Sequence, residues 1–254
     1  MQLTMLGVGS SAGTPMLGCT CCACISEDKR NNRTRCSSLI TLDNGKVILI
    51  DTGPDLRQQA LRERLTKIDA VLYTHTHADH LHGIDDLRGF CQIQRSQIPL
   101  YGSESAMRHI SDKFGYTLRE ASDFWDLPVL KVNPVNAPFE LFNQSIVPIP
   151  LKHGHGDIYG YRIGSIAYLT DVSEIPDSSM ALLSGLELLL LDCLRYTNHH
   201  THINLERSLY YASLINAENT YLIHMTHEIE YAELSEKLPD RVHVGYDGLK
   251  LEVN

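Results

Sequence analysis

The stretch Asp69-Ala-Val-Leu-Tyr-Thr74, running directly into His75-Thr-His77-Ala-Asp79-His80, decides how this chain is read. A short apolar run of strand character ends, and four side chains able to bind a metal follow within six residues. Residues two apart in an extended loop point the same way, so His75 and His77 share a direction, whereas Asp79 and His80, at a helix start, can aim elsewhere. Imidazole and carboxylate together suit Zn, Mn or Fe. Two groups of ligands imply two metal ions. A His-rich surface loop is the plain alternative, and the restrictive H-x-H-x-D-H spacing argues against it.

Further ligand types stand at the ends of other apolar runs. In Leu151-Lys-His153-Gly-His155-Gly156, His153 closes a strand and His155 is the reserve; in Ala167-Tyr-Leu-Thr-Asp171, an Asp closes another. Tyr221-Leu-Ile-His224 ends a third, and Ile48-Leu-Ile-Asp51-Thr-Gly53 a fourth. Taken singly, Asp171 could cap a turn, His224 could be a hydrogen-bonded core residue, and Asp51 could form an Asx-type turn with Gly53. The 13 histidines begin only at His75, and all but His109 and His243 fall in clusters.

The runs around these residues alternate in type. Gln2 to Val8, Ser37 to Leu42, Lys46 to Ile50 and Ala70 to Thr74 read as strands, and Ile98 to Tyr101, Ser145 to Leu151, Tyr159 to Ile163, Ile166 to Thr170, Leu186 to Leu191 and Thr220 to Ile223 continue the pattern. Helical periodicity covers Asp55 to Leu65, Ser103 to Phe114, and the regions near 204–216 and 229–237. Strands apolar on both faces, such as the one containing Leu188 to Leu191, require a sheet covered on both sides, so sheet layers flanked by helices are expected. No linker, repeat or low-complexity tract divides residues 1–254, which read as one domain.

Composition narrows the partners. With 22 Lys and Arg against 31 Asp and Glu, the net charge of -9 argues against a broadly basic surface for nucleic acid. The longest apolar runs fall far short of the roughly 20 residues that span a bilayer, and Met1-Gln-Leu-Thr has no cationic start, so a cytoplasmic protein with no membrane partner is expected. Seven cysteines are an odd number, and Gly18-Cys19-Thr-Cys21-Cys22-Ala-Cys24 packs four of them into six residues. Such density favours a tetrahedral thiolate site for Zn over disulfides. Cys36, Cys91 and Cys193 stand alone and read as small buried hydrophobes. The preceding Gly7-Val-Gly9-Ser-Ser-Ala-Gly13-Thr-Pro15 is a small-residue stretch where backbone can pass close to a substrate. Arg33, Arg35 and Arg57 are basic and near the expected mouth, though a residue of this kind is more often merely a surface charge.

The H-x-H-x-D-H loop after a buried strand, followed in order by His153, Asp171 and His224, resembles the metallo-β-lactamase superfamily along nearly the whole chain. The resemblance implies an α/β fold of the αββα sandwich type, with two facing mixed β-sheets and helices on the outer faces. It implies one metal held by His75, His77, His153 and Asp171 and a second by Asp79, His80, His224 and the same Asp171, with Asp51 orienting a ligand histidine. Two divalent ions carry four positive charges; two carboxylates and a bridging hydroxide remove three, so the site attracts an anionic oxygen such as that of phosphate. Hydrolysis is the implied reaction.

The C-x-C-x-x-C loop resembles the branch of that superfamily containing the phosphoribosyl cyclic phosphodiesterase of bacterial phosphonate breakdown. There three Cys and a His three residues beyond the last catalytic His hold a structural Zn, which implies Cys19, Cys21, Cys24 and His227 here; the extra Cys22 leaves an all-Cys site open. In His199-His-Thr-His202-Ile-Asn-Leu205 the resemblance implies His202 as general acid, beside Asp79 and Asp171 as catalytic carboxylates, with His200 the alternative acid and Asp192 supporting the loop. The implied enzyme is a phosphodiesterase with two active-site ions, Mn or Zn, opening a small phosphorylated sugar such as 5-phosphoribosyl 1,2-cyclic phosphate to ribose 1,5-bisphosphate, in a homodimer. Two readings compete: a tRNA 3′-end processing endonuclease, which should carry a basic arm that this acidic chain lacks, and a non-catalytic metal-binding protein, which should have lost ligands.

Overall fold

The computed structural model describes residues 1–118 and 129–253. Among the described residues, fourteen strands form two sheets of seven. The first takes β1 (Gln2–Gly7), β2 (Ser37–Thr41), β3 (Val47–Ile50), β4 (Ala70–Leu72), β5 (Ile98–Gly102), β6 (Leu130–Pro134) and, from the far end of the chain, β14 (Lys250–Glu252). The second takes β7 (Phe139–Leu141), β8 (Gln144–His153), β9 (Gly156–Ile163), β10 (Ile166–Leu169), β11 (Leu188–Asp192), β12 (Asn219–Ile223) and β13 (Val242–Val244). Helices α1 (Leu56–Glu63), α2 (Ala78–Leu81), α3 (Leu87–Gln94), α4 (Glu104–Phe114), α5 (Asp177–Met180), α6 (Leu205–Ile215) and α7 (Tyr231–Ser235) fill the connections.

Strand orders are β14-β1-β2-β3-β4-β5-β6 and β13-β12-β11-β10-β9-β8-β7. Both sheets are mixed. Neighbours β1/β2, β2/β3, β8/β9 and β9/β10 are antiparallel, whereas β3/β4/β5/β6 and β10/β11/β12/β13 run parallel. A parallel neighbour demands a crossover, and most of the helices occupy those crossovers.

Period-two alternation explains why the apolar runs are continuous. In β3, Ile48 and Ile50 face the other sheet, in a core shared with Leu190, Leu222 and Tyr168, while Val47 and Leu49 pack outward with Leu56, Ala60 and Phe90 of α1 and α3. In β11, Leu188 and Leu190 face inward, and Leu189 and Leu191 pack against Tyr211, Ala212 and Ile215 of α6. One core between the sheets and one under each helix layer make the αββα sandwich expected from the resemblance.

The strand ends that matter lie where parallel strands stop. Asp51 follows β3, Asp171 follows β10 and His224 follows β12, and all three adopt positive φ, at 61°, 57° and 59°. Left-handed backbone at a non-glycine residue is costly and persists where the surroundings impose it. Here it turns each side chain from the sheet toward one end of the sandwich. Leader and tail differences are small: Ser145 to Leu151 extends to Gln144–His153, and the helix near 229–237 shortens to Tyr231–Ser235.

Candidate metal centre

Among the described residues, ligand-type side chains converge in four groups whose donor atoms lie within 4.8 Å of one another. The first holds His75, His77, His153 and Asp171; the second, Asp79, His80, Asp171 and His224. These are the two sets expected from the sequence, with Asp171 in both. Its two oxygens divide the work. Oδ1 lies 3.9 Å from His75 Nε2 and from His153 Nε2, while Oδ2 lies 3.0 Å from His80 Nε2 and 3.4 Å from His224 Nε2. His75 Nε2 and His77 Nδ1 are 3.0 Å apart. Bond lengths of about 2.0–2.2 Å to a common ion put neighbouring ligand atoms roughly 3–3.5 Å apart, so most of these separations suit donors around an ion.

The second group carries a direct sign of what it lacks among protein partners. His80 Nε2 and both ring nitrogens of His224 are buried and make no hydrogen bond. A buried polar atom without a partner costs about 1–3 kcal/mol; Nε2 of His80 and Nε2 of His224, both beside Asp79 and Asp171, fit a bound cation, while Nδ1 of His224 faces Asp192. Charge points the same way. Burial opposes ionisation of Asp171, yet His224 and His80 hold its carboxyl well below the ordinary range; burial opposes protonation of His80, yet Asp171 and Asp51 hold its pKa well above that of a free imidazole. The surroundings therefore call for positive charge where the donor atoms meet.

Behind the ligands stands a layer that fixes their tautomers. Asp51, fully buried, accepts from His80 Nδ1 at 2.7 Å, from the Thr74 amide at 2.8 Å and from the Thr74 hydroxyl at 2.7 Å. His153 Nδ1 donates to the Thr201 carbonyl at 2.9 Å. The Thr170 hydroxyl donates to Asp171 Oδ2 at 2.7 Å. The contacts to His80 and His153 leave Nε2 of each ring aimed inward, as groups that support a metal ligand do. Gly53 allows this closeness, since a Cβ there would collide with the Asp79 carbonyl.

His202 stands beside the first group. Its Nε2 is 3.8 Å from Asp171 Oδ1, and its Nδ1 is 3.1 Å from Asp192 Oδ2. Asp192, fully buried, also accepts from the Val172 amide at 3.0 Å and places Oδ1 3.6 Å from His224 Nδ1. The loop histidine that the resemblance singled out is thus inside; His200 is exposed, and neither it nor the exposed His155 joins a ligand group.

Cys19, Cys21, Cys24 and His227 form a separate group. His227 Nδ1 lies 3.2 Å from Cys21 Sγ and 3.4 Å from Cys19 Sγ, near the roughly 3.5 Å edge of a tetrahedron with bonds of about 2.3 and 2.0 Å. His227 beside it lowers the Cys21 thiol to about 6, and burial pushes Cys24 up to about 11. Cys22 is exposed and outside the group, so the convergence is of three sulfurs and one nitrogen. Cys36, Cys91 and Cys193 are buried, as expected.

Sequence reasoning did not find Thr74, Thr170 or the Thr201 carbonyl, because a threonine or a carbonyl beside a ligand carries no pattern of its own. Nor did it foresee Arg33, whose side chain is buried rather than at a mouth. Among the described residues no helix is long and apolar enough to cross a membrane.

A model of the beta-lactamase superfamily domain matches residues 46–225. A Porphyromonas gingivalis protein named octanoyltransferase is 38% identical over 254 residues, an alignment that takes in 98% of this chain and 51% of that protein, so the chain spans about half the length of that relative. Among solved structures, a diphosphatase described as new and from the PhnP family is 42% identical with a TM-score of 0.93, over 100% of this chain and 98% of that one. Zn(2+)-bound PqqB from Methylobacterium extorquens superposes with a TM-score of 0.81 over 100% of both chains at 20% identity, a likeness of fold alone. With the signature loop, the shared carboxylate and the two-sheet sandwich in place, the chain belongs to the beta-lactamase superfamily and is PhnP-like within it.

Proposed function

We propose that residues 1–254 form one metal-dependent phosphoester hydrolase domain acting on a small phosphorylated sugar, with 5-phosphoribosyl 1,2-cyclic phosphate as the specific substrate and ribose 1,5-bisphosphate as the product. The observation that carries this reading is the pair of ligand groups sharing Asp171, with His202 Nε2 3.8 Å from the shared carboxylate. Likeness at 42% identity to a diphosphatase supports the phosphoester class. The octanoyltransferase name belongs to a protein of twice the length and supports no acyl chemistry here.

His75, His77, His153 and Asp171 would hold one divalent ion, Mn or Zn, and Asp79, His80, His224 and Asp171 the other. When bound, such a pair lowers the pKa of a shared water and neutralises phosphoryl oxygens. The chain's own residues do the rest. Asp51 and Thr201 fix the imidazoles of His80 and His153 so that the nitrogen facing the site is free. Asp192 holds Nδ1 of His202, which leaves Nε2 to carry a proton toward the substrate; as the bond from phosphorus to the sugar oxygen breaks, that proton passes to the departing oxygen. Cys19, Cys21, Cys24 and His227 would hold a structural Zn that pins the N-terminal loop to the segment following His224.

Phosphorus NMR of metal-loaded protein with 5-phosphoribosyl 1,2-cyclic phosphate, beside an EDTA-stripped sample, tests the proposal. Metal-dependent appearance of ribose 1,5-bisphosphate is expected. No conversion by protein shown to hold its metals would remove that substrate and bring other phosphodiesters, precursor tRNA among them, forward.

A further inference from the structure

Three arginines, Arg33, Arg35 and Arg57, could serve a phosphorylated substrate, and the structure separates them. Arg33 is 1% exposed and donates to the carbonyls of Thr226 and Ile229 at 3.1 and 2.8 Å and to Asn31 Oδ1 at 3.1 Å, so it props the segment that carries His227. Arg57 lines a groove in the outer helix layer with Ala60, Asp86 and Phe90. Of the three, Arg35 lies beside segments that carry residues of the metal centre. Gly9 bridges Arg35 on one side and Met225 on the other, and Met225 follows His224. On the opposite flank the Arg35 Cβ packs 3.4 Å from the Cβ position of Gly53, whose face abuts Asp79. Arg35 therefore sits between the two segments that deliver Asp79 and His224.

Its donors are partly committed. Nε donates to the Ser11 carbonyl at 3.2 Å, and Nη1 donates to Asp55 Oδ1 and Oδ2 at 3.0 and 3.1 Å. The Arg35 amide also donates to Asp55, at 2.8 Å. Nη2 makes no hydrogen bond among the described residues, nor does the hydroxyl of exposed Ser11, and the Arg35 side chain is one-third exposed. With Nε and Nη1 held, the guanidinium loses little freedom on binding, and Nη2 keeps its two N–H donors in a fixed plane for a phosphate oxygen.

We propose that Arg35 Nη2 and the Ser11 hydroxyl form a second anion subsite, which takes the non-scissile phosphate of the substrate. The assignment rests on the phosphoester reading above. It makes Arg35 a substrate-binding residue that sets preference for doubly phosphorylated sugars, with no part in bond breaking.

The test compares kcat/KM for 5-phosphoribosyl 1,2-cyclic phosphate with that for ribosyl 1,2-cyclic phosphate, which lacks the 5-phosphate, in wild type, Arg35→Ala, Arg35→Lys and Ser11→Ala. Loss of a hydrogen bond to a charged group predicts that the preference ratio falls about 10- to 100-fold in Arg35→Ala, with Arg35→Lys between and Ser11→Ala a few-fold down. A ratio within two-fold of wild type in Arg35→Ala, or an equal loss on both substrates, overturns the subsite. Should Arg35→Ala fail to fold, an unchanged ratio in both Arg35→Lys and Ser11→Ala does the same. Calorimetry with ribose 5-phosphate and ribose keeps the two proposals apart. If wild type hydrolyses neither ester yet binds ribose 5-phosphate and not ribose, and Arg35→Lys weakens that binding, the reaction falls and the subsite stands; absence of binding removes the subsite.

Discussion

Asp51→Asn tests whether the carboxylate behind His80 serves the metal or merely the fold. Asparagine keeps the volume and tolerates the left-handed backbone at φ 61°, so the change is chemical, not conformational. The carboxylate accepts three hydrogen bonds at 0% exposure, two from Thr74 and one from His80. A carboxamide has a single acceptor oxygen, and its NH2 must take the place either of Oδ1, which faces the Thr74 amide, or of Oδ2, which faces the Thr74 hydroxyl and His80 Nδ1–H. One bond to a charged group is lost and a buried donor is orphaned, together about 2–3 kcal/mol. For a chain of this size that is roughly 4–12 °C in Tm. The sign has an opposing contribution: burial raises the Asp51 pKa, so removing its charge returns some solvation energy and places the change toward the lower end. If Asp51 orients His80 as a ligand, metal affinity also falls about 10- to 100-fold. Thermal unfolding with and without EDTA, with metal content measured across a titration, reads both effects. A lowered Tm with metal affinity within two-fold of wild type would refute the orienting role and leave Asp51 as scaffolding.

Asp171→Ala should abolish hydrolysis and cut active-site metal content below one ion per chain, because it takes a ligand from both groups; elemental analysis retaining two ions would sink the bridging assignment. His202→Ala should keep its metals and slow substrates with alkoxide leaving groups about 10²- to 10⁴-fold, and nitrophenyl esters far less, since a good leaving group needs no proton; equal losses on both would count against the acid. Cys24→Ser should remove one ion per chain and lower Tm, while active-site metal content holds; loss of all metals together would mean that the cysteine group is not a separate site. Gly53→Ala, forcing a Cβ into the Asp79 carbonyl, should cost a few kcal/mol; unfolding within about 0.5 kcal/mol of wild type would show that the segments can part.

How much of this was legible in the sequence follows from where each residue sits. Chemical identity and spacing at a strand end made His75, His77, Asp79 and His80 readable, because the end of an apolar run is where a side chain can leave the core; His153, Asp171 and His224 also close apolar runs, and the order shared with the superfamily singled them out as ligands. The strands buried on both faces were readable from their length and apolarity, as in Leu188 to Leu191. β6, β7, β13 and β14 were not, since Leu130–Pro134 and Lys250–Glu252 mix charged and apolar residues as edge or near-edge strands do and carry little alternation. Helix α3, rich in Gln and Arg around Leu87, Phe90 and Cys91, was missed for the same reason: only a few of its residues face the sheet.

The harder residues to read are those whose meaning depends on a partner distant in sequence. Arg33 reads as a surface cation until Thr226 and Ile229 turn their carbonyls to it across 193 and 196 residues. Asp192, expected to support the loop of His202, also faces His224, which the sequence did not indicate. That last arrangement has a mechanical consequence. One buried carboxylate faces Nδ1 of a ligand in the second metal group and Nδ1 of the candidate acid beside the first, so any displacement of β11 moves both together. The Thr201 carbonyl that holds His153 lies on the same loop as His202, one residue before it. The positions of His153, His202 and His224 are therefore set by a shared frame of β11 and the loop that follows it.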